Sequence, residues 1–172
     1  YDNFWTMQLS NKILKKHEKF DVIYSANTIS HIHNLEETFK AIENLLTLKG
    51  IFILEDPSLL KSLQKISYDQ FYDEHAYVFS ITALKNINKK TGLEIFNIDE
   101  LKTHGGSNRV YFKKADNKDI KVSKIVNVHL SNEKKFGINK LKTYQIFARK
   151  VKDSKKNLIK IFQILKKRRN KI

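Results

Sequence analysis

Between residues 20 and 114 the chain alternates short apolar runs with stretches of helical periodicity. "FDVIYSAN", Phe20 to Asn27, is a β-branched and aromatic run that leaves through Ala26 and Asn27, which predicts a buried parallel strand ending in a polar elbow. In "LEETFKAIENLLTLK" the residues Leu35, Phe39, Ile42, Leu45 and Leu46 recur three or four positions apart. With Asn34 as cap, Glu36 and Glu37 in the first turn and Gly50 as stop, this predicts an amphipathic helix. "IFILED", Ile51 to Asp56, predicts a second strand, which Pro57 keeps from running on.

Ser80 then caps a helix through "ITALKNINKKTG", with Gly92 at its end. Two further runs, "LEIFNIDEL" and "SNRVYFKK", are joined by "KTHGG" and predict a closing antiparallel pair. Strand, helix, strand and a final pair make the second half of an open α/β sheet, whose ligands sit at the carboxyl ends of the parallel strands. Asn27, His31, Glu55 and Asp56 fall at those ends.

Beyond Asp116 the pattern changes. "IKVSKIVNVHL" predicts a weak strand or helix, and the spacing of Leu141, Ile146, Phe147, Val151, Leu158, Ile161, Phe162 and Leu165 predicts a long helix or helical pair. A boundary near residue 116 divides the chain into the half-sheet, 1–115, and the mainly helical start of a further domain, 116–172. No internal repeat or low-complexity linker separates them. The chain opens on Tyr1 and closes on the charged run "KKRRNKI", so both ends read as cut.

Composition narrows the chemistry. With no cysteine, disulfides, thiolate metal sites and cysteine nucleophiles are excluded. No run approaches the roughly 18–20 apolar residues that span a bilayer, and "YDNFWTMQLS" has neither a basic start nor an apolar segment, so the expected location is cytoplasmic, away from membranes. Net charge is +15, but residues 1–115 hold 15 Lys and Arg against 14 Asp and Glu, whereas residues 116–172 hold 18 against 4. That tail lacks interleaved aromatics or a helix-turn-helix pattern, so a solvated helix face is favoured over a nucleic-acid partner. The alternative, a basic fragment that binds RNA or an anionic surface, would rest on Lys166, Lys167, Arg168 and Arg169.

"YDQFYDEHAYVFS", Tyr68 to Ser80, crowds aromatic rings, carboxylates and one histidine together. A phenol at Tyr72 and an imidazole at His75, three positions apart, share a face if the segment makes a helical turn, and Glu74 can act as charge partner to the imidazole. Taken alone, these residues also suit a surface loop, and His31 suits a packing histidine at a helix entry. His31 and His33 lack the further ligands that a metal site needs. His17 and His129 read as exposed. In "THGGSNR" the glycines Gly105 and Gly106 permit either a tight hairpin or an anion-binding loop beside Arg109, and Glu55 can equally cap the next turn.

Three segments, "ANTISHIHNLEETF", "YDQFYDEHAYVFS" and "LKTHGGSNRVYF", together resemble the class I S-adenosylmethionine-dependent C-methyltransferases that act on nucleotide-linked deoxysugars. In that family A-N-x-x-x-H, Y-x-E-H and T-H-G-G-S-x-R segments occur in this order, and the resemblance covers roughly residues 20 to 115. It implies the distal half of a Rossmann-like methyltransferase sheet. It also implies a preceding zinc-binding module and a glycine-rich loop holding most of the S-adenosylmethionine; neither lies in these 172 residues, whose five glycines have no G-x-G-x-G spacing.

The implied reaction is methyl transfer to a carbon next to the keto group of a nucleoside-diphosphate deoxysugar, which requires a base and a group to hold the enolate oxygen. His75, Tyr72, Glu74 and His31 are the implied catalytic set. Ala26 and Asn27 are the implied cofactor contacts, and His104, Gly105, Gly106, Ser107 and Arg109 the substrate contacts. An O- or N-methyltransferase of the same fold is the alternative.

Overall fold

A computed structural model describes residues 5–168, so Arg169, one of the four cations of the basic alternative, lies outside them. Four strands form one sheet: β1 Phe20–Ala26, β2 Leu46–Pro57, β3 Leu93–Leu101 and β4 Ser107–Lys114, in the spatial order β1-β2-β4-β3. β1 runs parallel to β2, while β4 lies between β2 and β3 and is antiparallel to both. The final pair is therefore antiparallel as expected, and its second strand is the one that joins the sheet. The ends of β1, β2 and β3 and the start of β4 all meet at one edge.

Among the described residues six α-helices accompany the sheet: α1 Met7–Leu14, α2 Leu35–Leu45, α3 Leu59–Lys65, α4 Ile81–Asn88, α5 Lys124–Phe136 and α6 Leu141–Lys167. The Asn34 and Ser80 side chains cap α2 and α4 as expected, accepting from Glu37 N and Ala83 N. Sequence patterning did not single out α1 or α3, whose caps are Thr6 and Ser58. Phe39 of α2, Phe52 of β2 and Phe112 of β4 are fully buried, their ring centroids 5.3–5.8 Å apart, and they centre the core. Truncating any one of these rings to alanine costs about 3–5 kcal/mol.

Several expectations are corrected. The helix expected through Lys49 stops at Leu45, and Leu46 to Gly50 belong to β2. Leu46 is wholly buried, so the apolar positions that extend the helical pattern serve the sheet instead. Gly50 is not a helix stop: a Cβ there would meet the Phe20 carbonyl at 2.8 Å, where the pairing of β1 and β2 slips. Gly92 likewise follows α4 by several residues, and its N–H donates to Glu43 Oε2.

β1 is parallel but not buried. Phe20, Val22 and Tyr24 are exposed, because β1 is the sheet edge and its outer face has no cover among the described residues. His129 is not exposed either. It sits on the inward face of α5 with Val126 and Glu133, and burial pushes its imidazole below the usual range.

The "IKVSKIVNVHL" stretch resolves into the start of α5, which packs on β3 and α4. α6 is one long helix, and none of its residues is buried. No helix among the described residues is long and apolar enough to cross a membrane.

Candidate functional site

β1 ends at Ala26, and Asn27 turns the chain with a left-handed φ of 49° while its N–H donates to the Glu55 carbonyl. The short turn Ile29–His31 follows. Its Ser30 is buried and donates through Oγ to Asp56 Oδ1 at 2.8 Å. His31 is thereby carried to the sheet edge immediately beyond the parallel strands.

Residues 68–79 fold over this turn and are tied to it at three points. Tyr77 N donates to Ser30 O, the Tyr77 hydroxyl donates to His33 O at 2.7 Å, and His31 Nδ1 donates to the Glu74 carbonyl at 2.8 Å. His75 N bonds Tyr72 O, closing the turn that brings Tyr72 and His75 onto one side. The Tyr72 hydroxyl lies 3.0 Å from His75 Nε2, and the His75 and His31 rings meet at 4.9 Å.

Hydrogen bonding fixes the tautomers. His75 Nδ1 faces the Gln70 carbonyl at 2.9 Å, which can only accept, so Nδ1 carries the proton and Nε2 accepts from Tyr72. His31 Nδ1 is likewise the protonated nitrogen. Its Nε2 has no partner among the described residues.

Glu74 joins the cluster through its main-chain oxygen alone, since its side chain is exposed and forms no hydrogen bond or ion pair among the described residues. The buried carboxyl group tied to this turn through Ser30 is that of Asp56, 3% exposed. Burial pushes it up to about 6, against the Ser30 hydrogen bond and the nearby His75 and His31, which lower it. Sequence reading placed Asp56 at the strand end without assigning it to the site. The available signal was a second carboxylate directly after Glu55, pointing to the other face of the strand.

The T-H-G-G-S segment stands at the same edge, because Ser107 pairs with Pro57 and the Gly106 carbonyl accepts from Ser58 N. His104, Gly105 and Gly106 all have positive φ, and Lys65 Nζ donates to the Gly105 carbonyl. Ser107 is buried, and its hydroxyl bonds Thr103 O. Arg109 is not a free cation. Its Nε and Nη2 grip Glu55 Oε2 at 3.0 and 2.9 Å, and Tyr24 donates to the same oxygen. Glu55 thus ties three strands together and does not cap the following turn.

The sheet edge therefore gathers Ala26, Asn27, His31, Tyr72, His75, the Glu74 main chain and residues 104–107. For S-adenosylmethionine, the half-buried Ala26 and the exposed Asn27 side chain fit a contact to one end of the ligand, with the Asn27 N–H already committed to β2.

Comparison with known proteins gives a consistent result. A family described as "Methyltransferase domain" matches residues 3–98, and one described as "C-methyltransferase C-terminal domain" matches residues 102–172. The C-methyltransferase NovU of Streptomyces niveus is 27% identical over 144 residues, which cover 84% of this chain and 34% of that protein. The chain thus spans about a third of the length of that curated relative.

Among solved structures, an S-adenosylmethionine-dependent methyltransferase from Clostridium acetobutylicum aligns with a TM-score of 0.44 and 17% identity, over 57% of this chain and 59% of its own. Magnesium protoporphyrin IX methyltransferase from Synechocystis aligns with a TM-score of 0.43 and 17% identity, over 59% and 48%.

Proposed function

The chain belongs to the methyltransferase-domain family, and from that premise we propose that it takes part in transfer of a methyl group from S-adenosylmethionine to a carbon next to the keto group of a nucleoside-diphosphate deoxysugar. The observation that carries this reading is the bond of the Tyr72 hydroxyl to His75 Nε2 at the edge where the parallel strands end. A carbon nucleophile needs a proton removed beside a carbonyl, and a phenol backed by a neutral imidazole can remove one.

The proton path has one direction. As the Tyr72 oxygen takes the proton from the substrate carbon, its own proton passes to His75 Nε2, and the electron pair of the broken C–H bond moves toward the carbonyl oxygen. His75 then holds a proton on each nitrogen, with Gln70 O still accepting from Nδ1. S-adenosylmethionine, when bound, would supply an electrophilic methyl group that joins the carbon as its bond to sulfur breaks, the sulfur keeping that electron pair. Ala26 and Asn27 are the proposed contacts to it in this chain. His31, whose ring meets that of His75 at 4.9 Å and whose unpartnered Nε2 is an acceptor, shares the proton.

His104, Gly105, Gly106 and Ser107 are the proposed contacts to the nucleotide-sugar phosphates, with the Gly106 N–H already donated to the Thr103 carbonyl. Arg109 contributes only the N–H groups that Glu55 leaves free. We assign residues 1–115 to the methyltransferase core and 116–172 to a second, mainly helical unit that docks on it through α5.

In the full-length protein, His75→Ala should abolish transfer while cofactor affinity stays within about twofold. Product analysis should find the new methyl on carbon. Methylation of oxygen or nitrogen, or full turnover by the alanine variant, would overturn the reading.

A further inference from the structure

Asp56 stands at the end of β2 and is buried. Its Oδ1 accepts from Ser30 Oγ at 2.8 Å, but its equally buried Oδ2 receives no donor from the protein. Directly opposite in the β2–β4 register is Asn108, whose Oδ1 is also buried without a donor. Cross-strand partners hold their Cβ atoms within about 5.5 Å, so the two side chains are neighbours on one face of the sheet. Both line a cavity of about 10 Å³ whose other walls are Leu54, Pro57, Phe79, Leu84 and Val110. That is room for one water at most.

An asparagine here would accept from Ser30 through its oxygen and donate to Asn108 Oδ1 through its nitrogen. The ionised carboxyl group at this position is a desolvated acid with one oxygen unpaired. Charges nearby suggest what it is for. His31 follows the Ser30 that bonds Asp56, and the His75 ring meets that of His31 at 4.9 Å, with Tyr72 bonded to His75. Glu55, next along the strand, is neutralised by Arg109 at 2.9 Å, and the Glu74 carboxylate faces solvent. Asp56 is thus the buried negative charge that an imidazolium formed at His75 or His31 would meet. Ser30 connects it physically to the same turn, since the residue after Ser30 is His31 and the Ser30 carbonyl holds Tyr77 N.

We propose that Asp56 is a positioning residue for proton transfer: its carboxylate, anchored by Ser30, stabilises the protonated form of the His31–His75 pair and so sets the strength of the base. This rests on the proton-transfer reading given above and adds to it a carboxylate that no substrate atom needs to touch.

The test is Asp56→Asn in the full-length protein. Expected are a melting temperature equal to or above that of the wild type, an unchanged KM for the cofactor and a kcat reduced about tenfold. The acid limb of the kcat/KM profile should move down by about one pH unit, because loss of a nearby carboxylate makes an imidazole harder to protonate. The NMR titration of the two histidine rings should move the same way. Ser30→Ala, which keeps the carboxyl group and loosens its anchor, should shift the acid limb in the same direction by less.

An unmoved acid limb together with unmoved histidine titrations would overturn the proposal. So would a rate loss matched by a large fall in melting temperature, which would make Asp56 merely structural. If the titrations move but His75→Ala keeps full transfer, the methyl-transfer reading fails and the coupling of Asp56 to the imidazoles stands. If they do not move while His75→Ala is inactive, only the assignment of Asp56 fails.

Discussion

Tyr72 donates its hydroxyl to His75 Nε2 across 3.0 Å, and the bond has a single polarity because His75 Nδ1 is already donating to the Gln70 carbonyl. The bond holds the phenol in one orientation, as the proposed relay requires, although Tyr72 is 48% exposed. Its exposure makes it easy to test.

Tyr72→Phe removes one oxygen from an exposed ring, so the melting temperature should shift by no more than about 0.5 kcal/mol allows. Under the proposed relay, kcat should fall about 10²- to 10⁴-fold. Thermal melts and initial-rate kinetics on the same preparation check both halves, and a rate within twofold of wild type would remove Tyr72 from the proton path.

His104 adopts φ 50°, a left-handed conformation that costs a residue with a Cβ about 1 kcal/mol or more. His104→Gly should therefore leave stability equal or raise it by about 1 kcal/mol. If the ring or the loop shape it enforces meets the sugar nucleotide, KM for that substrate should rise several-fold with kcat nearly unchanged. A stabilised variant with wild-type KM would mark the loop as a plain hairpin. Gly106→Ala should do the opposite to stability, since φ is +132° and a Cβ would stand 2.9 Å from Lys61 Cβ.

Which of these features were legible in the sequence follows from how local their causes are. Caps at Asn34 and Ser80 depend on side chains three residues from the N–H groups they satisfy, so both were readable. The pairing of "LEIFNIDEL" with "SNRVYFKK" was readable from its turn. Leu46 misled because its apolar character suits a helix face and a strand equally, and only its pairing with Phe20 decides between them. Gly50 misled for the same reason: its constraint is a carbonyl 30 residues away in sequence.

The site divides along the same line. Tyr72 and His75 share one turn, and their contact followed from their spacing. The meeting of His31 with His75 and the buried position of Asp56 depend on β1, β2 and the aromatic segment together, which periodicity does not encode. His129 belongs to this class too, since nothing near it in sequence announces that α5 turns that face to the core.

Glu133, 1% exposed, supplies a cap that local reading could not find, because it comes from another helix. Its carboxylate accepts from Ile81 N at 2.7 Å, Thr82 N at 2.8 Å and Thr82 Oγ at 2.6 Å, closing the N-terminus of α4 from α5. Glu133→Ala should cost about 3 kcal/mol, as several charge-assisted bonds are lost and the Ile81 and Thr82 N–H groups lose their acceptor, the former buried. Glu133→Gln should lose less, because its carbonyl still accepts. Urea unfolding midpoints measure this, and a loss under about 1 kcal/mol would mean that Ser80 alone suffices as the cap.

Asp56 gives stability a pH dependence whose sign is fixed. Its carboxyl is raised to about 6 in the folded chain, against about 3.9 for an aspartate in an unfolded one. Between these values the native state keeps a proton that the unfolded state has released, so stability falls as pH rises through the window. Below about pH 4 both states are protonated and there is no penalty. Above about pH 6 both are ionised and the penalty is complete, about 3 kcal/mol for a gap of roughly two units. Asp56→Asn cannot titrate, so its advantage in unfolding free energy over the wild type should be small near pH 4.5 and grow toward pH 7.5. Parallel curves for the two proteins across that range would mean that the folded chain leaves this carboxyl close to its ordinary range.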